Sequence, residues 1–148
     1  MCLTLRSGVY IPEVSAFKIF TRDEDGLLQS AFSPKFKQGL KYPSNERIRV
    51  DVEESNFFAF ENMNNAIHIA RQGHRKWRMV KGELIVLPVT LYDVVFKGAY
   101  YVSSDDPQCL DSYYPAYESK ELIVHDSVDI RNQFYDVIIR HWYGMEKY

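Results

Sequence analysis

Apolar positions along this chain fall mostly into short runs of period two, separated by turn residues, with two stretches of helical period. Arg47 to Val52 alternates, with Ile48, Val50 and Val52 on one side and Arg47, Arg49 and Asp51 on the other, the pattern of a half-buried strand. Ala16 to Phe20 and Phe57-Phe58-Ala59-Phe60 are also extended in character. Asp25-Gly26 follows Arg22-Asp23-Glu24 and marks a turn, because both positions tolerate positive φ. Leu27 to Phe32 then returns as the partner strand. Ser33-Pro34 and Tyr42-Pro43-Ser44-Asn45 punctuate loops. Met79 to Leu87, Val94 to Val102 and Glu121 to Val124 supply further strands. Residues 1–15 alternate poorly and contain Gly8 and Pro12, so they read as an arm or leading loop.

Helical period appears first after Phe60. Met63, Ala66, Ile67 and Ala70 form one apolar stripe at i, i+3, i+4 and i+7. Asn62 suits the N-cap, Arg71 the last turn and Gly73 a left-handed stop, which predicts a short helix from Asn62 to Arg71. Such a short helix is marginal alone and has to pack on a sheet. A second helix is predicted from Asp129 to Trp142, with Ile130, Phe134, Val137, Ile138 and His141 on one face and Asp129 as cap. These elements predict a single α+β domain over residues 1–148: a mostly antiparallel sheet of about five or six strands, one short crossing helix and a C-terminal helix.

At 148 residues the chain fits one domain and can bury a core without a metal or disulfide. Eleven Tyr and nine Phe favour strands or a binding face. The net charge of −2 gives no global attraction to nucleic acid or anionic lipid, yet its distribution is uneven. Arg71, His74, Arg75, Lys76, Arg78 and Lys81 cluster in sequence, whereas Asp105, Asp106, Asp111, Glu118, Glu121 and Asp126 make the later region acidic. No apolar run is long enough to span a membrane, and Met1 to Arg6 lacks the pattern of a secretory signal. Cys2 and Cys109 read as free thiols of a cytosolic protein. The histidines and cysteines lack the close ligand pairs that tetrahedral zinc uses, so neither a metal nor a cofactor is expected.

Four sequence features carry possible chemistry. After removal of Met1, Cys2 would place a thiol beside a free α-amine, the arrangement of an N-terminal-Cys hydrolase; its plainer role is a small apolar residue at a chain end. The segment Tyr117 to Val124 is similar to the strand on which small ADP-ribosyltransferases carry a glutamate for the ribose of NAD, here Glu121. The other residues that comparison needs are missing, and a charged residue blunting a strand edge explains Glu121 equally. Trp77 among Arg71, Arg75, Lys76 and Arg78 combines phosphate-pairing charges with a stacking ring, against the plainer reading of a solvated turn anchored by its indole. Finally, Ser103 to Ser119 is long for a connection. Its Asp105, Asp106, Asp111, Tyr113, Tyr114 and Tyr117 would offer carboxylates and rigid rings to a basic partner surface.

Several pieces together resemble a family of small, uncharacterised phage and mobile-element proteins. The matching pieces are the opening Met1-Cys2-Leu3, the strand Phe17-Lys18-Ile19-Phe20 with Asp25-Gly26, and Ser30-Ala31-Phe32-Ser33-Pro34. Asn56-Phe57-Phe58-Ala59-Phe60, Lys97-Gly98-Ala99-Tyr100-Tyr101 and Glu121-Leu122-Ile123-Val124 complete the set, which covers roughly residues 1–126. The family's Gly and His before the short helix are replaced here, so no role of that His carries over. The resemblance implies a protein that travels with phages and acts in the cytoplasm of a bacterial host. The expectation is an anti-CRISPR-like inhibitor that binds a host defence factor, such as a nucleic-acid-binding complex, stoichiometrically. The alternative is a small enzyme using Cys2 or Glu121.

Overall fold

The computed structural model describes residues 5–22, 27–30, 42–49, 56–76, 83–102, 112–130 and 132. In chain order these form β1 (Leu5–Arg22), β2 (Leu28–Ser30), β3 (Arg47–Arg49), β4 (Phe57–Phe60), α1 (Met63–Lys76), β5 (Glu83–Val102) and β6 (Ser112–Val124). All the named strands pair antiparallel. The expected α+β architecture with a mostly antiparallel sheet is therefore present.

Three long strands carry the fold. β5 lies between β1 and β6, and the register brings Ala16 opposite Val89 and Val89 opposite Val124, with Val14, Leu91 and Leu122 aligned two residues away. The period-two alternation puts these residues on one face, and Ala16, Phe20, Ile85, Leu87, Val89, Leu91, Leu122 and Val124 are all buried there. The opposite face carries Glu13, Tyr92, Glu121 and Arg49 in register.

The sheet closes on itself. β4 pairs with β6 from Phe57↔Ser119 to Phe60↔Ala116, and its other side meets β1 at Phe17↔Phe60. β1, β5, β6 and β4 thus form a ring, with β2 extending the edge of β1 and β3 that of β6. Bridges Leu28↔Tyr42 and Ser44↔Val124 span between these outer strands. Tyr42 sits between the rings of Phe20 and Phe57, with centroids 5.2 and 5.9 Å away. Helix α1 lies against β1, β5 and β4, burying Ala66, Ile67, Ile69 and Ala70.

Several expectations need correction. Residues 5–15 are not an arm but the first half of β1, most of it paired with β5. The two strands expected around Met79 to Leu87 and Val94 to Val102 are one strand, β5, which continues through Pro88 and Asp93. Asp93 has a positive φ of 52°, and the β5–β6 register shifts just beyond it, between Val94 and Phe96, where a bulge absorbs the irregularity. The expected loop from Ser103 to Ser119 is strand from Ser112 onward, because each residue from Ser112 to Pro115 finds a partner on β5. Helix α1 runs past Gly73 to Lys76 instead of stopping there. At its other end, the Asn62 side-chain oxygen accepts from the amides of Asn64 and Asn65 at 2.8 and 3.3 Å, as a cap should. Of the C-terminal helix, Val128 to Ile130 are helical and Ser127 Oγ accepts from Ile130 N at 3.2 Å. The remainder, apart from residue 132, lies outside the described residues.

Candidate functional site

The far end of the β5–β6 ladder presents the most exposed aromatic side chain among the described sequence-predicted site residues. Tyr101 and Tyr113 stand directly opposite each other, and their rings are 5.1 Å apart between centroids. Tyr113 is 53% exposed and Tyr101 half-buried. The next pairs of the same parity are Ala99↔Pro115 and Lys97↔Tyr117, with the Lys97 ammonium 5.6 Å from the ring of the buried Tyr117. The other face of the same ladder points inward. Tyr100 packs edge-on against Phe58 and Phe60, and Tyr114 lies 5.9 Å from the ring of His68 on α1.

Burial divides the predicted partner-binding residues. Tyr113 faces outward, Tyr114 is half-buried beside α1, and Tyr117 is buried. Burial raises the Tyr117 phenol above its ordinary pKa, and the Glu61 carboxylate adds to the rise. Tyr117 is therefore unavailable as a free contact, which corrects the expectation for that residue. Asp105, Asp106 and Asp111 lie outside the described residues, between the last ladder pair Val102↔Ser112.

Glu121 does not stand at an open strand edge. Its strand position pairs with Arg49 of β3, and its carboxylate binds Arg47 Nη2 at 2.7 Å. The Arg47 guanidinium also stacks 3.8 Å above the Tyr92 ring. The bond with Glu121 raises the Arg47 pKa. A ribose-binding glutamate would have to give up that partner. Beside this pair, Arg49 Nη1 binds Asp93 at 2.9 Å, and the hydroxyl of Tyr10 reaches the same carboxylate at 3.5 Å. Tyr10 is 71% exposed. Tyr10 lies in the segment whose sequence reads as an arm, next to the β1–β5 register shift between Gly8 and Ile11.

Three further polar groups are buried and engaged. Lys18, only 6% exposed, donates from Nζ to the carbonyl of Phe58 at 2.8 Å. The Asp126 carboxylate accepts from Ser44 Oγ at 3.1 Å and lies 3.9 Å from Arg22 Nη2. Glu118 lies 3.5 Å from the half-exposed Arg6, whose guanidinium rests 4.2 Å over Phe96. His125 Nε2 and Thr90 Oγ1 are 2.7 Å apart.

The remaining candidates are only partly placed. Arg71 is half-buried on α1, and the backbones of Arg75 and Lys76 form its last turn. Their side chains, with Trp77, Arg78 and Cys2, lie outside the described residues. Among the described residues no three His, Cys, Asp or Glu side chains gather as a metal site would require, and no helix is long and apolar enough to cross a membrane. No family model, no curated protein and no solved structure matches this chain.

Proposed function

We propose that the protein acts by stoichiometric binding to another protein and that the outer face of the β5–β6 hairpin makes the contact. The observation that carries this reading is the Tyr101–Tyr113 pair, two rings held side by side on rigid strands, one of them more than half exposed. Such rings contribute contact area while losing little conformational freedom, because the sheet already holds them. Support also comes from the polar side chains elsewhere: the buried Lys18, Glu118 and Asp126 and the half-buried Glu121 all have partners within the protein.

Asp105, Asp106 and Asp111 follow Tyr101 in the chain and precede Tyr113, so a basic partner surface suits this end of the molecule. In the setting implied by the phage resemblance, the partner is a nucleic-acid-binding host defence complex, and the protein inhibits it inside the bacterial cell. The test is a titration of purified defence nucleases of the host with the intact protein. Inhibition should reach its end point at one equivalent. Tyr101→Ala with Tyr113→Ala should raise the concentration needed, whereas Cys2→Ala and Glu121→Gln should change nothing. Inhibition by a small fraction of an equivalent, abolished by either of the latter substitutions, would establish the enzymatic alternative instead.

A further inference from the structure

We propose that Tyr101 and Tyr113 form a site of oxidative coupling, at which one carbon–carbon bond covalently staples β5 to β6. This inference needs no partner and stands apart from the binding reading. The two residues are direct cross-strand neighbours, so the backbone ladder holds their rings together. Their centroids lie 5.1 Å apart and their planes are inclined by 41°, which brings the edges of the two phenols within reach of each other after a small rotation. Tyr113 is 53% exposed, so an oxidant in solution can reach it. Tyr100 and Tyr114 also stand opposite each other, but on the inward face, where Tyr100 meets Phe58 and Phe60 edge-on and Tyr114 faces His68.

The chemistry requires a one-electron oxidant such as the oxidised haem of a peroxidase. Each phenol gives one electron to that oxidant and its hydroxyl proton to water, leaving a phenoxyl radical with spin density on the ring carbon beside the oxygen. Two such radicals on neighbouring rings combine through those carbons. Each coupled carbon then loses its hydrogen as a proton while the oxygen regains one, restoring both aromatic rings. The protein loses two hydrogen atoms, and one hydrogen peroxide becomes two waters.

Exposure of the purified, full-length protein to a haem peroxidase and hydrogen peroxide at low protein concentration tests this. The expected result is dityrosine fluorescence in a species that remains monomeric under denaturing conditions. The tryptic peptide 98–120, which carries both rings, should lose two hydrogen atoms. Tyr113→Phe and, separately, Tyr101→Phe should each return the monomer's signal to background, while Tyr10→Phe leaves it intact. Fluorescence that persists in the monomer after Tyr113→Phe, or that appears solely in cross-linked dimers, would overturn the proposal.

Discussion

Lys18 occupies a position where the strand pattern calls for an apolar side chain, between Ala16 and Phe20 on the buried face of β1. Its ammonium donates to Phe58 O of β4 and lies about 6 Å from the rings of Phe20 and Tyr42, which face it as weak cation partners. Lys18→Ala removes the donor, leaves a buried carbonyl short of its partner and opens a cavity. The expected cost is about 2–4 kcal/mol, read from chemical denaturation. Within about 0.5 kcal/mol of the parent, the amine would carry no weight in the fold. His68 makes a different prediction. His68 is exposed at the surface of α1, but partial desolvation of its ring lowers its pKa below the ordinary value of 6.5, and the neighbouring Arg71 adds to that depression. The unfolded chain therefore takes up a proton at a higher pH than the folded one. Stability falls as pH drops through about 6.5 toward the lower folded value, and His68→Gln removes that part of the slope. An unchanged pH dependence of unfolding in His68→Gln would reject the assignment.

At the scale of elements, α1 offers a test in which the sign decides. Gly73 lies inside the helix, so Gly73→Ala should stabilise by roughly 0.5–1 kcal/mol through helix propensity. Were Gly73 the left-handed stop that its residue type suggests, the same substitution would destabilise. Asn62→Ala, which removes the cap, should cost about 1 kcal/mol by thermal or chemical unfolding. The N-cap and the helical stripe were legible because local chemistry and burial agree there. β1 and β5 were not, and the reasons lie in their neighbours. Residues 6–13 have no described strand on their outer side, so the alternation that marks a half-buried strand is weak. Pro88 looks like a break, yet it lies one residue past the end of the β6 ladder at Val89↔Val124, where its missing N–H costs one terminal bond and leaves the ladder itself intact. Its carbonyl accepts from His125 N instead. Pro115 repeats this arrangement one residue past the β4 ladder, with its carbonyl accepting from Glu61 N. The outward pairing of Tyr101 with Tyr113 is a matter of register. The sequence shows a cluster of tyrosines, but not which of them share a face.

For the molecule as a whole, the decisive feature is how the ring of strands closes. β1 and β5 pair along most of their lengths, and β5 and β6 do likewise, whereas β1 and β4 share the single register pair Phe17↔Phe60. Backbone bonding is thus thin at one seam. Packing replaces it, since Phe57, Phe58, Ala59 and Phe60 are all buried, and Lys18 reaches across to Phe58 O. A seam held by side chains opens without unzipping a ladder, so the β1–β4 junction should be the first part of the ring to separate. Native-state hydrogen exchange can resolve this. Amides of β5 between Ile85 and Leu91 should exchange only through global unfolding, while those of β4 should exchange through a smaller opening with a weaker dependence on denaturant. Lys18→Ala should lower protection in β4 by more than it lowers protection in β5. Equal free energies of exchange for the two strands in the parent protein would mean that the ring closes as firmly at β4 as elsewhere, and that the contact between Lys18 and Phe58 is incidental to closure.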